Sequence, residues 1–504
     1  MTDTAGNQHP SAGALEAAAR NILQSLLDRK AAGETLSPRE RLAIPAQEMP
    51  AQDPVIRGGN VSEVALGYGE NQARLEAERC LSCKNEPCVK GCPVQVPIPR
   101  FIAEIQRGDF KAAVDVIKET NLLPAVCGRV CPQEKQCQAE CTLGKSLKSV
   151  DKAVAIGRLE RFVADWEREH GKVTTPAVKP ATGKKIAVIG SGPAGLTVAA
   201  DTAREGHAVT IFEAFHKPGG VMVYGIPEFR LPKSIVQAEV DILTKMGVRL
   251  EVNFLAGRTR TVQELLTDDG FAAVFIGVGA GLPKFLGCPG ENMVGVFSAN
   301  EYLTRANLMK AYDPEKAATP MYSSRIAAVI GGGNVAMDAA RMALRLGAEQ
   351  VHVIYRRTRE EMPARAEEVD HAVEEGIVFN FLRNPNRILG DDQGRVTGME
   401  LQKFELGEPD VSGRRSPVAI AGSEYVFACD TVIVALGNES NPLLIRTTEN
   451  LKADRKGRIM VDETQKTSLD AVYAGGDIVL GAATVILAMG EGRRAAAAIN
   501  ALLS

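Results

Sequence analysis

The chain has no apolar run approaching the length needed to span a bilayer, so nothing in it asks for a membrane-crossing helix. It also lacks an excess of charge of one sign. Lys and Arg number 59 against 62 Asp and Glu, a net charge of −3, so no global basic field points to nucleic acid or an anionic membrane. The opening stretch, Met1 to Gly13, is polar and has neither the basic nor the apolar part of a signal peptide, which makes the cytoplasm the expected compartment. Cysteine is almost missing outside one region: of 10, only Cys288 and Cys429 lie beyond Cys80 to Cys141. In a reducing compartment such crowding favours metal over disulfides.

What remains is ordinary for a globular protein, 45% hydrophobic and 24% charged, and 504 residues call for two to four domains. Residues 1–40 read as a polar N-terminal extension with a short helix, Leu15 to Arg29, and no visible function. Leu42 to Asn60 is rich in proline and glycine and reads as an extended arm. Glu70 to Arg79 is helical and delivers Cys80. Ile98 to Glu119 carries Phe101, Ile102, Ile105, Ala112, Val116 and Ile117 at helical spacing, and a further helix runs from about Ala153 to Glu169. Residues 41–173 therefore form a small helical domain around metal. Thr174 to Thr182 is a linker by composition, assigned to 174–183.

Beyond it the grammar changes to strand, glycine turn and helix, at Lys185 to Ile189 and again from Ile326 to Arg345. Two strand-and-glycine exits, Phe275 to Gly281 and Val432 to Gly437, repeat one another. The expected fold is a multidomain protein: a helical domain, then two Rossmann-like α/β dinucleotide-binding domains, the second inserted in the first. The first spans 184–305 and 456–504, and the second 306–455.

Gly190-Ser191-Gly192-Pro193-Ala194-Gly195 matches G-x-G-x-x-G. Gly190 allows the turn, Gly192 lets a pyrophosphate approach and Gly195 lets helix pack on strand. A lone match is often a plain glycine turn, but here a strand precedes, a helix follows, and Glu213 ends the next strand. That carboxylate accepts from a ribose and repels a 2′-phosphate. The second loop, Gly331-Gly332-Gly333-Asn334-Val335-Ala336, has the same setting without the acid. Arg356 and Arg357 stand after the strand Val351 to Tyr355, and guanidinium groups suit a 2′-phosphate. The competing reading is a solvated surface pair. The first site is assigned to FAD and the second to NADP(H). Val472 to Asp477 adds Gly476 and Asp477 before the helix of about Thr484 to Leu503, whose start at Thr484 can stabilise negative charge on a reduced ring. Asp477 also fits a plain turn or cap. The flavin site is expected to draw further on Gly219, Gly220, Val221 and Gly279.

Cys80-x2-Cys83-x4-Cys88-x3-Cys92-Pro93 is close to a bacterial ferredoxin run, and Cys127-x3-Cys131-x5-Cys137-x3-Cys141 follows. Eight cysteines suit two [4Fe–4S] clusters. The alternative, two zinc sites, is weakened by the single C-x2-C knuckle.

The order of these parts resembles the small subunit of NADPH-dependent glutamate synthase. It also resembles the large subunit of NADH-dependent reduced ferredoxin:NADP oxidoreductase and the N-terminal half of dihydropyrimidine dehydrogenase, from about Arg41 to the end. Gly219-Gly220-Val221 leading into Tyr224-Gly225-Ile226-Pro227-Glu228-Phe229-Arg230-Leu231-Pro232-Lys233 is especially like the ferredoxin oxidoreductase, as is Arg356-Arg357 with Glu361-Met362-Pro363-Ala364. The resemblance implies that Cys80, Cys83, Cys88 and Cys141 hold one cluster. It implies Cys92, Cys131, Cys137 and Glu160 for the other, leaving Cys127 spare where plain spacing would enlist it. The bland reading of Glu160 is a solvated helix face.

The expected function is NADP(H)-linked hydride exchange with FAD, and single electrons passed through two clusters to a partner. That partner is a glutamate synthase large subunit, or a small iron–sulfur flavoprotein of a bifurcating ferredoxin oxidoreductase. Ferredoxin would be reached through it, with no nucleic acid and no membrane insertion. Hydride transfer between cofactors needs no protein acid or base, so no catalytic residue is assigned. Tyr224 and Glu228 are possible tuning groups, or packing and loop residues. A Met-Thr-Asp start offers no glutaminase cysteine, and the length leaves no room for an FMN barrel. The alternative is a non-enzymatic, nucleotide-binding redox-sensing adaptor.

Overall fold

The computed structural model describes residues 10–410 and 413–504. The polar lead Met1 to His9 lies outside the described residues. The first helix, Ala12–Ala31, is longer at both ends than expected, because Ser11 caps it by accepting from the Ala14 N–H at 3.2 Å. Its role is also visible. Glu16 accepts from the backbone N–H groups of Asn71 (2.9 Å) and Gln72 (3.1 Å), so it caps the helix Glu70–Glu78 from outside. Ala19 and Leu23 bury beside Leu75. The helix Ala12–Ala31 thus steadies the helix Glu70–Glu78, which leads into Cys80.

The arm after it is not wholly extended. Asp53 caps a short helix, Pro54–Gly58, and Arg57 plunges into the second nucleotide domain. Ile98–Arg107 and Phe110–Lys118 are two helices separated at Gly108, whose φ of +80° ends the first in the left-handed region. Their apolar faces close with Ile156–Glu169 into one core, where Phe110 meets Phe162 edge-on at 4.9 Å.

The first parallel sheet has the order Val472–Ala474, Ala273–Ile276, Lys185–Ile189, Ala208–Phe212, Arg249–Glu251. Its edge strand comes from the far end of the chain, in register Val472 to Val274. The second parallel sheet runs Val296–Ser298, Thr431–Val434, Ile326–Ile330, Gln350–Tyr355, Val378–Phe381. Both expected boundaries shift. Val296–Ser298 pairs with Thr431–Val434, so the second unit begins before 306. Leu444 and Leu451 pack in the core of the first sheet, so the return begins before 456. The crossing points form a two-stranded ribbon, Leu282–Pro283 against Asn438–Glu439. An antiparallel sheet within the second unit, built from Arg383–Gly390, Val396–Pro409, Arg415–Ala419 and Tyr425–Ala428, had no counterpart in the sequence reading.

The units are tied by buried charge. Across the units Arg230 donates to both oxygens of Asp338 (2.6 and 2.8 Å) and Arg57 to Glu375 (3.0 Å), while Arg341 of the second unit donates to the same Glu375 and to Glu368. The ring of Phe229 lies under the guanidinium groups of Arg341 (4.6 Å) and Arg345 (4.0 Å). Such pairs hold their partners strictly, because removing one member strands the other in a low dielectric. This is the work of the Tyr224–Lys233 segment, together with a backbone bond from Val64 N–H to Phe229 C=O at 2.9 Å.

Candidate functional site

At the first glycine loop, Gly190 has φ +99°, and a Cβ there would sit 2.5 Å from the Gly277 carbonyl oxygen. A Cβ on Gly192 would meet no protein atom, since that side opens on a cavity of about 690 Å³. A cavity of this size lies within the range for cofactor sites. The helix Pro193–Arg204 begins there with proline in its first turn, presenting free N–H groups and positive dipole. Glu213 reaches the cavity wall with one oxygen bonded by Ser191 N–H (3.0 Å) and the Ser191 hydroxyl, the other by Phe215 N–H (2.8 Å).

Gly220, Val221, Gly279, Gly476, Asp477 and Thr484 also border this cavity. Gly195 does not: its missing side chain is a packing requirement, since a Cβ would lie 2.0 Å from Gly190 O. Gly219 acts from behind, donating its N–H to Ser191 Oγ at 2.9 Å. Burial pushes the Asp477 carboxyl up to about 6, against one donor, Ala483 N–H at 3.2 Å. Thr484 Oγ1 caps the helix Val485–Leu503 by accepting from Leu487 N–H. Of the two suggested tuning groups, Tyr224 lines the cavity, its phenol pushed up to about 12 by burial, then by Asp477 and Glu213. Glu228 instead accepts from Lys233 N–H at 3.2 Å, a loop role. A large, glycine-floored, mostly apolar cavity with an acid at the strand end fits a flavin dinucleotide.

At the second loop Gly331 is pinned by the Ala435 carbonyl, 2.4 Å from where a Cβ would fall, and Gly333 begins the helix Asn334–Arg345. Asn334 Oδ1 accepts from Arg365 N–H at 2.9 Å, and Ala364 N–H donates to Gly332 O at 3.2 Å. The Glu361–Ala364 stretch therefore folds back over the loop. Val335 is half-buried and Ala336 is buried in the core behind it. The two arginines are not equivalent. Arg356 is exposed and makes no hydrogen bond or ion pair among the described residues. Arg357 is buried, its Nε donating to Arg415 O and a terminal nitrogen to Asp410, both at 2.7 Å. Only Arg356 is at liberty to meet a nucleotide.

The cysteines sort into two neighbourhoods. Burial raises the Cys80 thiol, with Cys141 and Cys83 adding, and pushes Cys88 up to about 12, with Cys80 and Cys141 adding. Burial pushes Cys92 up to about 11, with Glu160 and Cys131 adding, and raises Cys137, with Cys92, Cys131 and Glu160 among its neighbours. Cys92, Cys131, Cys137 and Glu160 border one small cavity walled by Val96, Ile98, Phe101, Ile156 and Ile486. Glu160 is buried, its carboxyl pushed up to about 8 by burial against a single neutral donor, Asn121 Nδ2 at 2.6 Å. A carboxylate and several thiols gathered where each disfavours ionisation of the next fit a site whose charge is met by iron. Among the described residues, no three donors close around a single metal ion. Cys127 borders the same cavity as a further thiol, 3.7 Å from Asn121 Oδ1 and 3.6 Å from Met489 Sδ. The residue that sequence reasoning missed is Asn121, which carries no motif.

Fold and site together define a pyridine-nucleotide flavin reductase joined to an iron–sulfur domain. Residues 57–172 match the dihydropyrimidine dehydrogenase domain II, 4Fe-4S cluster family, and residues 184–499 match the pyridine nucleotide-disulphide oxidoreductase family. The chain belongs to the glutamate synthase small-chain family: it is 37% identical to the NADPH glutamate synthase small chain of Escherichia coli, over 88% of this chain and 93% of that one. It is 39% identical to the NADP(+)-dependent formate dehydrogenase subunit beta of Moorella thermoacetica, but spans only 65% of its length. FprA of Mycobacterium tuberculosis in complex with NADPH shares the fold at a TM-score of 0.54 and 20% identity, over 64% of this chain and 85% of that one. Among the described residues no helix is long and apolar enough to cross a membrane.

Proposed function

We propose that the chain is the NADP(H)-binding electron-input subunit of a larger oxidoreductase, working with a second redox subunit. When bound, FAD would exchange a hydride with NADP(H), and two [4Fe–4S] clusters would carry its electrons singly. The residues Gly190, Gly192, Glu213 and Asp477 hold the flavin dinucleotide. Gly331, Gly333 and Arg356 receive the pyridine nucleotide. Cys80, Cys83, Cys88 and Cys141 take one cluster, and Cys92, Cys131, Cys137 and Glu160 the other.

One observation carries the reading. The first turns of the helix Val485–Leu503 stand between the flavin cavity and the Glu160 group. Thr484, Val485 and Ala488 line the cavity, while Ile486 lines the cysteine pocket and Met489 touches Cys127. The Glu160 group is therefore the inner one, one helix away from the flavin. Cys80, Cys83 and Cys88 of the other group are half-buried, as is Cys92, and none of them borders the flavin cavity, so this group is the one assigned to meet a partner.

The test is an anaerobic titration of the purified, cofactor-loaded chain with NADPH. Rapid loss of flavin absorbance followed by cluster reduction supports electron input. A flavin that stays oxidised supports the non-enzymatic adaptor. Co-purification then identifies the partner: a large subunit with a glutaminase and an FMN barrel, or a small iron–sulfur flavoprotein of a bifurcating enzyme.

A further inference from the structure

We propose that Asn121 is the positioning residue of the inner cysteine group: its amide holds Glu160 and Cys127 at once, so that Glu160 and not Cys127 completes the ligand set. The inference rests on the reading of Glu160 as a ligand and deepens it. Asn121 follows the helix Phe110–Lys118 and is fully buried. Its Oδ1 accepts from Leu123 N–H at 2.9 Å. A backbone N–H can only donate, so this bond fixes which end of the amide faces which way. Nδ2 is then the end that meets Glu160, donating to Oε1 at 2.6 Å. Oε2 makes no hydrogen bond among the described residues.

The same Oδ1 lies 3.7 Å from the Cys127 sulfur, within reach of a weak S–H donor. Cys127 and Glu160 border one cavity, and a thiolate is the usual ligand of an iron–sulfur cluster. Two residues thus compete for one position, and one amide is bonded to both. It occupies one carboxylate oxygen, leaves the other available, and gives the thiol proton an acceptor. Outer partners of this kind orient metal ligands, and their loss costs about 10–100-fold in metal affinity.

The test uses the full chain, loaded and purified without oxygen, and reads iron content, the electron paramagnetic resonance signals of the reduced clusters and their midpoint potentials. The variants are Asn121→Asp and Asn121→Ala, the latter also combined with Cys127→Ala, with Glu160→Ala as reference. Asn121→Asp keeps the acceptor for Leu123 and so the loop, but sets an oxygen against Glu160; it decides the matter if Asn121→Ala does not fold. Both are expected to alter the signal and potential of one cluster and leave the other as it was. In Asn121→Ala the altered signal should move towards an all-thiolate type, and that movement should vanish when Cys127→Ala is added. If both Asn121 variants leave signals and potentials unchanged while Glu160→Ala alters one cluster, the positioning role is refuted and the ligand reading stands. If Glu160→Ala alters neither cluster, the ligand reading falls and the inference with it.

Discussion

Replacing Arg356 by Ala should remove the preference for NADPH without disturbing the protein around it. Arg356 is exposed beyond the strand Gln350–Tyr355 and makes no internal bond among the described residues, so its deletion leaves nothing stranded. A hydrogen bond to a charged group contributes about 1.5–3 kcal/mol, and solvent exposure places this one at the low end. At about 1.4 kcal/mol per factor of ten, kcat/KM for NADPH should fall about tenfold and that for NADH less than about twofold. Arg357→Ala should behave differently. It breaks the bonds to Asp410 and Arg415 O that fasten the antiparallel sheet to the nucleotide domain. Thermal stability should drop, and both nucleotides should suffer alike. The assay is steady-state reduction of an artificial acceptor with each nucleotide, beside a thermal scan. An equal loss for NADPH and NADH in Arg356→Ala, or a selective NADPH loss in Arg357→Ala, would refute the reasoning.

Three further outcomes are expected. Gly192→Ala should fold normally yet retain little FAD, because its methyl group enters only the cavity, whereas Gly195→Ala should lower stability by roughly 1–3 kcal/mol even without flavin; the flavin-to-protein ratio and urea unfolding of the apoprotein separate the two. Burial lowers the Lys233 ammonium from 10.5 to about 7 despite Glu228 and Asp338, so the unfolded chain binds the extra proton between those values. Stability should therefore rise from pH 7 towards 10.5 and be lost as pH falls through about 7, and Lys233→Met should flatten that slope in thermal scans; an unchanged slope rejects the assignment. Glu375→Gln faces Arg57, Arg341 and Arg345 with too little charge, and should cost about 3–5 kcal/mol, read by denaturant unfolding.

The two glycine loops, their strands and the long closing helix were legible because each is a local demand: a turn, a close approach, a periodic face. The gathering of the cysteines into two groups was not legible from spacing alone. Cys141 neighbours Cys80 and Cys88, which lie far earlier in the chain and in the other cysteine run. The unequal roles of Arg356 and Arg357 could have been read, since adjacent residues leaving a strand point to opposite sides. The domain boundaries could not, because Val296–Ser298 is too short to show a period and its partner strand comes much later in the chain. The first helix, Ala12–Ala31, hid its purpose for a related reason. Glu16 caps a helix that begins 54 residues further on, at Glu70, and no local pattern records such a bond.

The closing strand of the first sheet, Val472–Ala474, has consequences for how the molecule is made. Until that segment leaves the ribosome, Ala273–Ile276 remains an open edge and the flavin cavity lacks a wall. The strands of the inserted nucleotide unit have all been made before that segment. The same late segment brings Ile486 and Met489, which cover the inner cysteine pocket. Until that helix has been made, the inner cysteine pocket is uncovered on its Ile486 side.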